Sequence, residues 1–198
     1  NGTSGDVNAI DFTGERKRHP PYARMREIGH SLADQARQTY EQLTFIKEAR
    51  ITVAYEEITL GVRKPKAQRL AWARDTLAKA KPTARPSRPI IYAQEALGLS
   101  RYPDQVNIIL QAFRIGDLAI AAIPNEVFAE TGLAIKAQSP FKDTFIIELA
   151  NGYSGYLPTR QQHELGGYET WPARSSFLEQ DAESKIRRTV VELLESLQ

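Results

Sequence analysis

The chain has 198 residues, 41% of them hydrophobic and 25% charged, the balance of an ordinary globular protein. It contains no cysteine, which excludes disulfides and thiolate metal sites, and no apolar run approaches the roughly 18 residues that a membrane-spanning helix needs. The net charge of +2 hides an asymmetry, because residues 14–89 hold 17 Lys or Arg against 8 Asp or Glu and the remainder holds 9 against 16. A basic half can serve a nucleic acid or a membrane surface. Here its cations are scattered, apart from "ERKRH" (15–19) and "RKPK" (63–66). Two segments of one folded unit that neutralise each other are the simpler account, and no nucleic-acid partner is expected.

The opening "NGTSGDVNAIDF" has neither a helical period nor the basic and apolar regions of a signal peptide. Its Asn, Gly, Ser and Asp are the residues of tight turns. From Tyr22 to about Ile46, apolar Ile28, Leu32, Ala36, Tyr40 and Leu43 recur every three or four residues, which predicts an amphipathic helix with one buried stripe. A strand follows over 50–62, with Ile51, Val53 and Tyr55 alternating in phase, and then a helix over 67–80. Three prolines keep "KPTARPSRP" (81–89) out of helix or central strand and predict a surface loop. A short helix is expected over 90–99.

The second half is more apolar. Residues 105–124 read as two strands joined by Gly116-Asp117, a hairpin signal. A helix over 125–139 is expected directly after Pro124, with Asn125 as its cap and Glu126 at the strand-to-helix junction. A strand over 143–150, a long aperiodic stretch over 151–176 and a final helix near 179–197 complete the pattern. Helices mixed with strands give an α/β or mixed α+β layered fold, a mixed sheet flanked by helices. A long loop at a strand end, carrying Tyr153, Tyr156, Tyr168 and Trp171, is a natural place for a site.

Familiar signatures are incomplete. No phosphate-binding or dinucleotide-binding glycine motif is present. "GYSGY" (152–156) lacks the last glycine of a nucleophile elbow, and "HELGG" (163–167) lacks the second histidine of a zinc-protease helix. The three histidines, His19, His30 and His163, are not spaced as metal pairs.

Three segments taken in order carry a resemblance: Gly5-Asp6-Val7, Pro124-Asn125-Glu126, and Tyr153 and Tyr156 followed twelve residues later by Tyr168. Together they resemble the G-D-V loop, the P-G-E turn and the tyrosine loop of the neutral, non-lysosomal ceramidases. The resemblance implies the second half of that family's catalytic domain. It also implies a zinc-dependent hydrolase of an amide bond in N-acylsphingosine or a related molecule.

Under it, Glu126 and Tyr156 are metal ligands for Zn2+, two histidine ligands come from an upstream segment, and Tyr168 hydrogen-bonds the reacting amide. Asp6 and Asn8 fall at the catalytic loop. Asn8 stands where the family has its catalytic Ser, and an amide is neither nucleophile nor base; Ala9 replaces the Pro that follows. A non-catalytic binding relative is therefore the alternative. The expected partners are the upstream part of the same domain and a small-molecule or lipid amide, with peripheral membrane contact compatible. A secreted or periplasmic location is the family-based expectation.

Overall fold

The computed structural model describes residues 2–8, 10, 12–15 and 19–198. Ala9 and residues 16–18 of the basic "ERKRH" cluster lie outside the described residues. The chain divides into two compact units, one of residues 8–49 and one of residues 1–7 with 50–198.

In the smaller unit, α1 (Ala23–Glu41) is the only helix among the described residues. Its surface carries helix-spaced ion pairs, such as Arg24 with Glu27 at 2.8 Å. The helix is found, but its expected buried stripe is not. No residue of α1 is buried, and Ile28, Leu32 and Tyr40 are all exposed. Periodicity reports a face that can be buried, and this unit has no second layer to cover it.

In the larger unit the order is β1 (Ile51–Gly61), α2 (Ala67–Ala78), α3 (Arg88–Leu99), β2 (Gln105–Ile115), β3 (Leu118–Ile123), β4 (Glu126–Val127) and α4 (Ala129–Gln138). It continues with β5 (Asp143–Glu148), β6 (Tyr156–Leu157), α5 (Arg160–Leu165), a single 3-10 turn at Tyr168–Thr170, and α6 (Ala182–Glu195). The main sheet is mixed, in the order β1-β2-β3-β5. Neighbours β1, β2 and β3 are antiparallel, whereas β3 and β5 are parallel and joined through α4, the kind of crossover that parallel pairing requires. Gly116, in the left-handed region at φ 61°, makes the β2–β3 turn.

The core lies between one face of the sheet and α6. Leu60, Leu110, Ala112, Ala119, Ala121 and Ile146 meet Ile186, Val190, Leu193 and Leu194. Each such fully buried Leu or Ile stabilises the unit by about 1.5–3 kcal/mol. Small residues Ala73, Ala93 and Ala96 let α2 and α3 approach closely as a helical hairpin. The expected 81–89 loop is present, although α3 starts at Arg88 with Pro89 in its first turn, where its missing N–H costs nothing.

The sequence left open which face of β1 is buried, and three expectations, the helix start at 125, its Asn125 cap and the structureless 151–176 stretch, are corrected. Ile51, Val53 and Tyr55 share the exposed face of β1, and the opposite set, ending in Leu60, faces the core. The helix after Pro124 does not begin at 125: residues 126–127 form β4, and α4 starts at Ala129. Asn125 is fully buried, its amide nitrogen donating to the carbonyls of Ser154 at 2.9 Å and Gly155 at 3.1 Å, while its side-chain oxygen accepts nothing among the described residues, and with α4 starting at Ala129 it is not the cap. The aperiodic stretch 151–176 contains β6, α5 and the 3-10 turn, elements too short to show a period.

Candidate functional site

The site is built on a two-stranded parallel pair in which Glu126 of β4 stands opposite Tyr156 of β6. Both strands are held by non-local backbone bonds, from Glu126 N–H to the Gly155 carbonyl at 3.0 Å and from Tyr156 N–H to the Ser175 carbonyl at 2.8 Å. The chain reaches β6 through a tight bend in which Leu149, Asn151 and Gly155 all have positive φ, that of Gly155 being 73°. A Cβ at Gly155 would lie 2.5 Å from the Ser175 carbonyl oxygen, so both conformation and contact demand glycine.

Two phenols face one carboxylate, and a third phenol packs against one of them. The Tyr153 hydroxyl donates to Glu126 Oε1 at 3.1 Å. The Tyr156 hydroxyl lies close to both the Glu126 carboxylate and Tyr168, and its ring meets that of Tyr168 edge to face, with centroids 5.7 Å apart and planes at 87°. Burial, reinforced by the Glu126 carboxylate, pushes the Tyr153 phenol up to about 12. At Tyr156 burial again comes first, followed by the Tyr168 hydroxyl and then the Glu126 carboxylate, and together they raise it further. Tyr168 and Tyr153 are 50% and 56% exposed, so the cluster opens to solvent rather than being sealed in the core. A depression of about 460 Å³ adjoins it, walled by Tyr102, Tyr153, Phe177 and the Glu95–Arg174 ion pair.

The opening loop is fastened beside β4. Gly5 N–H donates to the Val127 carbonyl at 2.8 Å. A Cβ on Gly5 would lie 2.4 Å from the Glu126 carbonyl oxygen. The buried Glu148 carboxylate accepts from Ser4 N–H at 3.1 Å, from Ser4 Oγ, and from Val127 N–H at 3.0 Å. Asp6 Oδ1 accepts from Ala129 N–H at 2.8 Å and so caps α4 from more than a hundred residues away. The structure thus brings Glu126, Tyr156 and Tyr168 together, and it gives Asp6 a capping bond beside them. Asn8 belongs to the other unit, 8–49.

Sequence reasoning missed two organising residues besides Tyr153. Glu148 is in phase with buried Ile146 on β5, a period-2 signal that places a carboxylate on the core face. Arg63 fastens the segment carrying Tyr168. Its Nε donates to the Leu178 carbonyl at 2.7 Å, Nη1 to the Thr170 carbonyl at 2.8 Å, and Nη2 to both the carbonyl and the hydroxyl of Ser176 at 2.8 Å. His163 sits in α5. Burial, then the cations Arg63 and Arg160, lower it to about 4, so it is neutral at pH 7.

Among the solved structures that resemble this chain are two ceramidases. The neutral ceramidase from Pseudomonas aeruginosa matches with a TM-score of 0.57 at 16% identity, over 94% of this chain and 34% of that chain. The chain has a neutral ceramidase-like fold. It spans about a third of the length of that ceramidase. A ceramidase complexed with C2 aligns over 63% of this chain and 18% of that one, at 21% identity and a TM-score of 0.41. No family model and no curated protein matches.

The donor chemistry at Glu126 fits half of a zinc site. A carboxylate and a phenol on paired strands are ordinary oxygen ligands for a four-coordinate ion. Among the described residues no group of three or more His, Cys, Asp and Glu lies close enough to hold a metal ion.

Proposed function

We propose that this chain forms part of a zinc-dependent amide hydrolase acting on N-acylsphingosine or a related amide, with two histidine ligands supplied by residues outside it. The observation that carries the reading is the placement of Tyr153 and Tyr156 beside Glu126, with Tyr168 packed on Tyr156. Bound zinc would polarise the amide carbonyl and lower the pKa of a coordinated water. Glu126 and Tyr156 would hold the metal. Tyr153 occupies Glu126 Oε1 and fixes the rotamer of the carboxylate. The Tyr168 hydroxyl, carried on a turn fastened by Arg63, donates to the amide oxygen as negative charge grows on it. Asp6 has a supporting role, holding the start of α4 next to Glu126.

A second reading, a non-catalytic binding relative, is favoured by Asn8, whose amide supplies hydrogen bonds but no nucleophile or base. In either case the partners are the remainder of the domain and an amide-bearing lipid or small molecule, with peripheral membrane contact compatible, in a secreted or periplasmic setting.

The test is metal content of protein that includes the rest of the ceramidase-like domain. About one zinc per chain is expected, with loss in Glu126→Ala and Tyr156→Phe. Zinc retained in both variants would overturn the ligand assignment. Zinc lost from both, in a wild type that releases no fatty acid from N-acylsphingosine, would favour the binding relative.

A further inference from the structure

A second concave surface lies away from the tyrosine cluster, between the start of α2 and the wall formed by α3 and Pro172. It is a cleft of about 530 Å³, within the size range of small-molecule sites. Arg63, Lys64, Lys66 and Arg69 supply its charge, and Trp72, Pro65, Ala96, Leu99 and Pro172 supply apolar surface. Lys64 pairs with Asp104 at 3.1 Å. Among the described residues Arg63, Lys66 and Arg69 have no carboxylate partner. The Arg69 guanidinium instead lies 3.8 Å from the centroid of the Trp72 ring, which fixes a cation over a flat apolar wall.

Arg63 makes the cleft unusual. Four of its five donor hydrogens go to carbonyls and a hydroxyl, which satisfies its geometry but not its charge. A guanidinium withdrawn from water normally has a carboxylate beside it, because an uncompensated charge in low dielectric is costly. Burial lowers its pKa to about 10, and no carboxylate offsets the shift. The protein supplies three unneutralised cations around one mostly apolar cleft and no anion to fill it.

We propose that this cleft binds an amphiphilic anion, a carboxylate or phosphate group carried on an apolar body. The anionic head meets Lys66 and Arg69 in the field of Arg63, and the apolar body lies against Trp72, Leu99 and Pro172. The site uses none of Glu126, Tyr153, Tyr156 or Tyr168, and shares with the hydrolase reading only Arg63, which neither test variant changes.

The test is titration of the purified 198-residue chain with laurate and with dodecyl phosphate below their micelle concentrations, followed by NMR. The indole N–H signal of Trp72, one of two tryptophans, is assigned with Trp72→Phe. Saturable shifts of the Trp72 signal are expected, weakened at least tenfold in the double variant Lys66→Gln, Arg69→Gln. Both side chains are exposed and make no hydrogen bond among the described residues, so the variant folds. Comparison of the two probes tells which head group the site prefers. Inorganic phosphate should bind at least tenfold more weakly than dodecyl phosphate, and dodecyltrimethylammonium should leave the signal unmoved. Equal affinity in the double variant, equal shifts with the cationic amphiphile, or equal binding of inorganic phosphate would each overturn the proposal.

Discussion

Replacing Glu148 by Ala tests how the opening loop is fastened. Glu148 is 4% exposed and accepts three hydrogen bonds, two from Ser4 and one from Val127 N–H. The alanine variant leaves Val127 N–H buried without a partner and Ser4 N–H partly so. An orphaned buried donor costs about 1–3 kcal/mol, and with the part-buried second donor the expected loss is about 3 kcal/mol. With a urea m-value of about 2 kcal/mol per M, the unfolding midpoint falls by roughly 1.5 M. Ser4→Ala removes only the hydroxyl donor and should cost about 1 kcal/mol. Fluorescence-monitored urea unfolding measures both, and hydrogen exchange at the Val127 amide reports the local effect, which should be faster in Glu148→Ala. A midpoint shift below about 0.3 M, with Val127 protection unchanged, would refute the claim that this carboxylate holds the loop to β4.

Gly5→Ala should destabilise the larger unit by more than a surface substitution does, because the new Cβ meets the Glu126 carbonyl oxygen at 2.4 Å and the obstacle is backbone. Accelerated exchange at the Glu126 and Val127 amides would show the strand giving way, and wild-type exchange would disprove it. Arg63→Ala removes the donor to the carbonyls of Thr170 and Leu178, while that of Ser176 keeps the Ala173 N–H, and should cost about 2 kcal/mol in urea unfolding; Arg63→Lys, which cannot make the four-bond fan, should recover less than half. Glu95 gives a pH signature. The Arg174 side chain holds its carboxyl below the ordinary 4.5, against a smaller opposing effect of burial. A depressed acid adds stability above its unfolded pKa, and that stability is lost as pH falls through the folded value. Wild type should therefore lose its advantage over Glu95→Gln as pH drops from about 4.5 downward. Because Arg174 is 52% exposed the effect is screened and should shrink in added salt. A difference that is flat across this range would count against the pair.

What was legible in the sequence was local. The β2–β3 hairpin announces itself through Gly116-Asp117 between alternating apolar runs, and α2, α3 and α6 through propensity and period. Strand β4 was hidden because its two residues pair with β6, thirty positions on, and no window around Glu126 contains the partner. Asn125 looks like a cap by neighbourhood, yet its amide is committed to Ser154 and Gly155. The cap α4 does have, Asp6, is invisible to any local rule. Alternation found β1 but not which face is buried, since Ile51, Val53 and Tyr55 are the more apolar set and still face outward. The candidate site residues were found through motif order, not through period or spacing. Tyr153 shows the limit of that route: it lay within the motif without a role until its hydroxyl was seen on Glu126.

The site has little regular structure of its own, and this decides where its rigidity comes from. Two-residue strands cannot hold a carboxylate and a phenol in register by their ladder alone. Each side of the pair is instead clamped from the main sheet. On the β4 side, Glu148 at the end of β5 grips Val127 and the opening loop. On the tyrosine side, Arg63, just past β1, grips Thr170 and Ser176 around the turn that bears Tyr168. The two clamps have opposite charge and share no hydrogen-bond partner. They stand at the ends of the two edge strands of one four-stranded sheet. The sheet serves the chemistry by fixing the distance between those clamps, and Glu126, Tyr156 and Tyr168 are held together by what is fastened at its edges.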